Sequence, residues 1–122
     1  MAPVKKLTVE REPHSDQHAV VYRLKGKLIG TPECYEFLEA LREDVRGGRR
    51  RVVLNLSELE RVTSPGIGII AASYTSLRKE GGCLVLAEAP EHVRTLMQLV
   101  GLWDLLEKCA SETDALDPSG EA

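Results

Sequence analysis

Two short apolar runs, "RVVLNL" at 51–56 and "CLVLA" at 83–87, restrict what this chain can fold into more than any other feature. Each has strand length without the polar alternation of a half-exposed strand, as expected for a strand covered on both faces or nearly so. Between them Ile67, Ile70, Ala71, Tyr74 and Leu77 recur at helical spacing, and Gly81-Gly82 ends the pattern where a left-handed residue carries no steric penalty. Two buried strands joined through a helix of this length must run parallel, with a right-handed crossover.

The same reading extends in both directions. Leu7 and Val9 alternate with Thr8 and Glu10 over 7–11, and "AVVYRLKG" at 19–26 is rich in β-formers, so the polar "EPHSDQH" between them predicts a hairpin connection. After Gly30-Thr31-Pro32, the residues Cys34, Phe37, Leu38, Leu41 and Val45 form the stripe of a first helix, stopped by Gly47-Gly48. Pro90 opens a third helix with the stripe Val93, Leu96, Met97 and Val100, ended by Gly101. "LWDLLEKC" at 102–109 reads equally as a short edge strand or as continued helix, while Ser111 and Asp114 resemble a capping box that starts a short last helix. The tail "DPSGEA" at 117–122 is expected to be disordered. The order is β-β-α-β-α-β-α with short elements after it, an α/β chain with a mixed sheet, since the first two strands can pair antiparallel.

Composition narrows the function. With 122 residues the chain is one domain's worth, residues 1–122 with a core of about 7–116. Lys and Arg number 16 against 19 Asp and Glu, so the basic footprint of a nucleic-acid binder is absent. Cys34, Cys83 and Cys109 lack CxxC spacing and cannot all pair with one another, which suits a reducing cytoplasm. No signal-peptide pattern or membrane-length apolar run occurs, so no membrane insertion and a cytoplasmic location are expected. His14, His18 and His92 are too scattered for a metal-ligand set, and no cofactor is implied. "TSPGIG" is not the G-x-S-x-G elbow of a hydrolase, and the reading is of a non-enzyme.

The turn Thr63-Ser64-Pro65-Gly66 is where chemistry would sit. Ser64 has the chemistry of an N-cap and Pro65 suits the first helical position, as Thr31-Pro32 does for the first helix. The same helix start, with Gly66 and Gly68 leaving the backbone approachable, would tolerate an anion. "SPGIG" has neither the Walker lysine nor G-x-G-x-x-G, so a nucleotide module is a weak alternative. Gly66 and Gly68 serve equally well to let the helix pack closely.

Residues 52–102, "VVLNLSELERVTSPGIGIIAASYTSLRKEGGCLVLAEAPEHVRTLMQLVGL", resemble a STAS domain of the bacterial anti-sigma factor antagonist type, and "LKGKLIGTPECYEFLEAL" resembles that family's opening of the first helix. The resemblance implies a STAS-like mixed sheet of four to five strands with about four helices mainly on one face. It also implies a protein-binding regulator that sequesters a serine-kinase-type anti-sigma factor to free a sigma factor. The implied partner-binding patch is Gly30, Thr31, Thr63, Ser64, Pro65, Gly66 and Ile67. In the family turn a carboxylate and a hydroxyl residue precede the phosphorylatable Ser or Thr; here those positions read Thr63, Ser64 and Pro65. Ile29 stands where the family often has Asp or Thr, and Asn55 replaces a frequent Asp. Proline has no hydroxyl, so the usual phosphorylation switch cannot operate at its usual position. Ser64 is a candidate displaced phosphosite. Capping accounts for Ser64 without that role, which favours a constitutive binder or an unrelated partner. The rival readings are a STAS subunit docking on the ATPase of an ABC-type phospholipid transporter, and a small-ligand module at the same helix start. Oligomeric state is left open.

Three further features have ordinary counterparts. The basic run "RGGRRR" at 46–51 serves either an acidic partner or as a solvated loop before a buried strand. Trp103 serves either as an exposed anchor or as packing beneath the third helix. Cys34 and Cys83 fall on core faces, where a thiol acts as a small apolar group.

Overall fold

A computed structural model describes residues 6–116; the tail at 117–122, expected to be disordered, lies outside the described residues. The chain runs β1 (Leu7–His14), β2 (Ala19–Leu28), α1 (Pro32–Arg46), β3 (Arg51–Val62), α2 (Ser64–Lys79), β4 (Cys83–Ala87), α3 (Glu91–Leu99), β5 (Glu107–Cys109) and α4 (Glu112–Leu116). Single 3-10 turns, Ser15–Gln17 and Trp103–Leu105, precede β2 and β5. The five-stranded sheet has the order β1-β2-β3-β4-β5, with β1 antiparallel to β2 and every other pair parallel.

This order explains where the helices go. Each parallel connection steps to the next strand in the same direction, so right-handed crossovers put α1, α2 and α3 on one face. The residues of period two divide accordingly. Val20, Tyr22, Leu24, Val52, Leu54, Leu56, Leu84 and Leu86 pack with Phe37, Leu41, Ile70, Leu77, Val93 and Met97 in the main core. Val21, Val53, Val85 and Ala87 point the other way and are covered by Ala115 of α4.

Several element bounds and faces differ from the sequence-based expectation. β1 continues to His14, and β3 runs twelve residues where the apolar run suggested six. The polar half of β3 still pairs with Lys25–Leu28 of β2, with one register shift before Lys25 and a second between Gly26 and Lys27, and buries Leu59. Residues 102–109 resolve into the 3-10 turn followed by β5. The buried face of α2 is Gly66, Ile67, Ile69, Ile70, Ser73 and Leu77, with Ala71 and Tyr74 only partly covered. Ser73 is admitted to the core because its hydroxyl donates to the Ile69 carbonyl at 2.9 Å. Val100 does not join the α3 stripe: it is the C-cap and 54% exposed. Pro90 is the N-cap of α3, one position before the helix proper.

All three glycine stops work as expected; at the end of α1, Gly48 has φ +105° and Arg49 N–H donates to Asp44 O at 2.9 Å. Gly82 N–H donates to Leu77 O at 2.8 Å and Leu102 N–H to Met97 O at 2.9 Å, the six-to-one bonds of a Schellman ending, with Gly81 and Gly101 at φ +77°. The basic run is consumed internally. Arg50 donates to Val45 O, and Arg51 to Ala115 O and Glu107, which ties α4 and β5 to β3.

α4 is short, and polar contacts hold it. Asp114 N–H donates to Ser111 Oγ at 3.2 Å, half of the expected capping box. Glu112 accepts from Arg23 Nε at 2.8 Å and from Asn55 Nδ2 at 2.6 Å, so Asn55 positions α4 over the sheet. Replacing Glu112 by alanine should cost about 1 to 2 kcal/mol, since it strips charged acceptors from Arg23 and Asn55. Chemical denaturation at neutral pH measures it.

Candidate functional site

The turn between β3 and α2 meets the turn between β2 and α1 at one corner of the molecule. Thr63 N–H donates to Leu28 O at 3.2 Å, and Thr63 O accepts from Ile67 N–H at 2.9 Å, which ties the start of α2 to the end of β2. Gly66 makes that approach possible, since a Cβ there would sit 2.9 Å from the Leu28 carbonyl carbon and closer still to its oxygen. A glycine is required here for packing. Gly68 has no neighbour within 4 Å of its Cβ position, so only Gly66 is needed for close packing.

Gly30 has φ +94°, and its Cβ position lies 2.8 Å from Pro65 Cβ and 3.8 Å from Tyr35 Oη. The pyrrolidine of Pro65 therefore rests against the Gly30 backbone with Tyr35 beside it. Thr31 is the N-cap of α1, but its Oγ1 lies 3.3 Å from Cys34 Sγ and makes no capping bond. The buried Cys34 thiol also points to Lys27 O at 3.7 Å.

Ser64 is not the cap. The N-cap of α2 is Thr63, with extended backbone and no side-chain cap bond, while Ser64 and Pro65 occupy the first helical turn. Thr63 is held by its bond to Leu28 and accepts the first helical bond from Ile67, and Pro65, whose missing N–H is not needed in the first turn, is tolerated one position further in, so the helix opens one residue earlier than Ser-Pro pairing suggests. The Ser64 side chain is exposed, and its hydroxyl bonds no described residue.

The seven residues of the expected patch thus share one corner at unequal depth. Ser64 and Pro65 are exposed, Gly30, Thr31 and Thr63 half-buried, and Gly66 and Ile67 buried beneath them. Tyr35, outside the expected patch, is 50% exposed and lies beside Gly30 and Pro65. Its signal is visible in retrospect: an aromatic one residue after Cys34, off the apolar stripe of α1. No acidic residue stands in the first turn of α2, so its end keeps the partial positive charge of unpaired N–H groups. Among the described residues no three His, Cys, Asp or Glu side chains gather as a metal set. His92 instead pairs its Nε2 with Leu59 O at 3.0 Å.

A family profile described as "Mlab, STAS domain" matches residues 12–107. The chain belongs to the STAS-domain family. Its relatives are similar to this STAS domain over different spans. BtrV of Bordetella bronchiseptica, named as a candidate anti-sigma factor antagonist, is 40% identical over 67 residues, 54% of this chain and 58% of BtrV. The anti-sigma F factor antagonist of Paenibacillus polymyxa is 24% identical over 110 residues, 90% of this chain and 92% of that protein. The structure of the anti-sigma factor antagonist SpoIIAA in its unphosphorylated form superposes with a TM-score of 0.79 at 22% identity, covering 94% of this chain and 98% of SpoIIAA. That likeness bears on fold, and the five-stranded mixed sheet with four helices agrees with it. Among the described residues no helix is long and apolar enough to cross a membrane.

Proposed function

We propose that this STAS domain is a cytoplasmic, non-enzymatic regulator that binds a serine-kinase-type anti-sigma factor and thereby releases a sigma factor, without the phosphorylation switch of its family. Support for the partner class comes from the names of its relatives, two of them anti-sigma factor antagonists. The observation that carries the constitutive part is Pro65, exposed and braced on Gly30, at the position where the resemblance puts the family's phosphorylated residue. Proline cannot accept a phosphoryl group, and its ring makes the corner a shaped, rigid contact. The docking surface is Gly30, Thr31, Thr63, Ser64 and Pro65, with Tyr35 added at its edge and Gly66 and Ile67 supporting it from below.

Affinity capture of the tagged protein from its native lysate, followed by reconstitution with the recovered partner, tests the reading. A serine-kinase-type anti-sigma factor is the expected partner. Tyr35→Ala should then weaken binding at least about tenfold, because tyrosine is enriched among hot spots and Tyr35 offers a half-exposed ring beside Gly30 and Pro65 for a partner to cover. Ser64→Ala should leave affinity within about twofold. Capture of an ABC ATPase instead would overturn the sigma-factor reading, and saturable nucleotide binding by the isolated protein would make the corner a ligand site. A phosphate on Ser64 after incubation with partner and ATP, absent in Ser64→Ala, would overturn the constitutive part: the Ser64 hydroxyl is exposed and free of capping.

A further inference from the structure

Among the described residues, three of the four large apolar side chains that stand exposed lie within seven residues of one another: Leu99 at 79%, Val100 at 54% and Leu105 at 59%. They occupy the end of α3 and the 3-10 turn before β5. The fourth, Tyr35, belongs to the corner already described. Local structure holds the ridge in place, because the Schellman ending at Gly101 turns the chain back and Leu102 anchors it in the core. The α2 corner follows the C-terminal end of a parallel strand, while this ridge precedes the start of one, so the two surfaces sit at opposite ends of the sheet layer.

Trp103 marks the flank of the ridge. It is half-buried against the core, with Arg94 5.8 Å and Lys108 5.0 Å from its ring centroid, and Lys108 Nζ also donates to Trp103 O at 2.8 Å. Neither cation has a carboxylate within 4.0 Å among the described residues. The neighbouring Glu107 is taken by Arg51. Two positive charges without a carboxylate within 4.0 Å among the described residues thus share this segment with three exposed apolar side chains, and the exposed Asp104 stands between Trp103 and Leu105.

We propose that this ridge is a second docking surface, fitted to an amphipathic helix of a partner protein whose apolar stripe is flanked by carboxylates. An amphipathic helix brings an apolar stripe to cover the exposed Leu99, Val100 and Leu105, and its acidic flank meets Arg94 and Lys108. A second copy of the chain fits less well. Three side chains fall well short of the roughly 800 Å² per partner that a stable dimer buries, and the same cations would face each other's surroundings without an acidic stripe. A membrane also fits less well, since lipid recognition takes a cluster of about four to eight basic residues, and here two serve the ridge in a chain of net charge -3.

Trp103 is the sole tryptophan of the chain, so its emission reports from the flank of the surface. The probes are two synthetic amphipathic helices with the same leucine stripe, one flanked by glutamate and one by lysine. The glutamate peptide should shift the emission to the blue with saturation, binding at least about tenfold more tightly than the lysine peptide. Leu99→Asp with Leu105→Asp, both exposed and compatible with folding, should abolish saturation; Arg94→Glu with Lys108→Glu should reverse the preference, followed by anisotropy of labelled peptide. Tyr35→Ala should bind the peptide unchanged, which separates this surface from the α2 corner. Equal binding of the two peptides, or none of either, overturns the proposal. So does a Leu99-dependent dimer in sedimentation, which would assign the ridge to a second copy, or an emission shift with anionic phosphatidylglycerol vesicles and no peptide, which would assign it to a membrane.

Discussion

Replacing Gly66 by alanine is expected to destabilise the protein by about 3 kcal/mol or more, the upper end of what overpacking costs. The added methyl would meet the Leu28 carbonyl carbon at 2.9 Å and Leu28 Cγ at 3.1 Å, with the carbonyl oxygen nearer than either. Backbone in a paired strand cannot step aside as a side chain does, so α2 must lift away from β2. For a chain of this size such a loss lowers the thermal midpoint by about 10 °C. Gly68→Ala is the control with the opposite sign. Two residues along the same helix it meets open space, and it should gain about 0.5 to 1 kcal/mol from helix propensity. Thermal melts of the two variants side by side test the account, and equal effects would remove the close approach of α2 to β2 as its basis.

Asp44→Ala should cost about 2 to 3 kcal/mol, the penalty for leaving the buried Tyr22 hydroxyl without its acceptor together with the loss of the Arg11 pair. Asp44 on α1 accepts from Arg11 Nε of β1 at 2.9 Å and from the Tyr22 hydroxyl of β2, so a single carboxylate joins three elements. Tyr22 is 1% exposed and stands edge-on to Phe37 with centroids 5.2 Å apart, leaving its hydroxyl no water to turn to. Burial pushes the Asp44 carboxyl up, but the hydrogen bonds from Arg11 and Tyr22 and the Arg11 charge outweigh it, and the net shift is downward. Glu112 is lowered too, chiefly by its hydrogen bond from Arg23. For a depressed carboxylate the stabilisation is full above its unfolded pKa, about 4, and is lost as pH falls through the lower folded value. Stability should therefore fall from about pH 4 downward, and Asp44→Asn should flatten that slope while costing less at neutral pH than alanine. Urea denaturation at neutral pH and at about pH 3 measures both. An unchanged slope in Asp44→Asn would deny the carboxylate its part in the acid response.

The corner at α2 was largely legible in the sequence, because Gly30, Thr31 and the Thr63–Ile67 turn are local signals of helix starts. Tyr35 was not, since its place beside Pro65 depends on how α1 and α2 meet. The expectation that Ser64 caps α2 failed for a similar reason: Thr63 is engaged with Leu28, a residue 35 positions away, and the helix begins one residue sooner. The polar half of β3 escaped notice because "SELERV" lacks an apolar run; it is a strand only because β2 continues beside it.

What the chain's own order of residues determined is the set of elements and their handed connection. Apolar spacing at two or near four residues, punctuated by Gly and Pro, is a local property, and parallel strands joined by helices have one sterically favoured crossover. Tertiary structure alone decided which glycine is indispensable, which acid meets Tyr22, how far β3 extends, and that Leu99, Val100 and Leu105 stay uncovered. Each of these depends on atoms distant in sequence arriving at one place, and periodicity along a chain carries no information about that meeting.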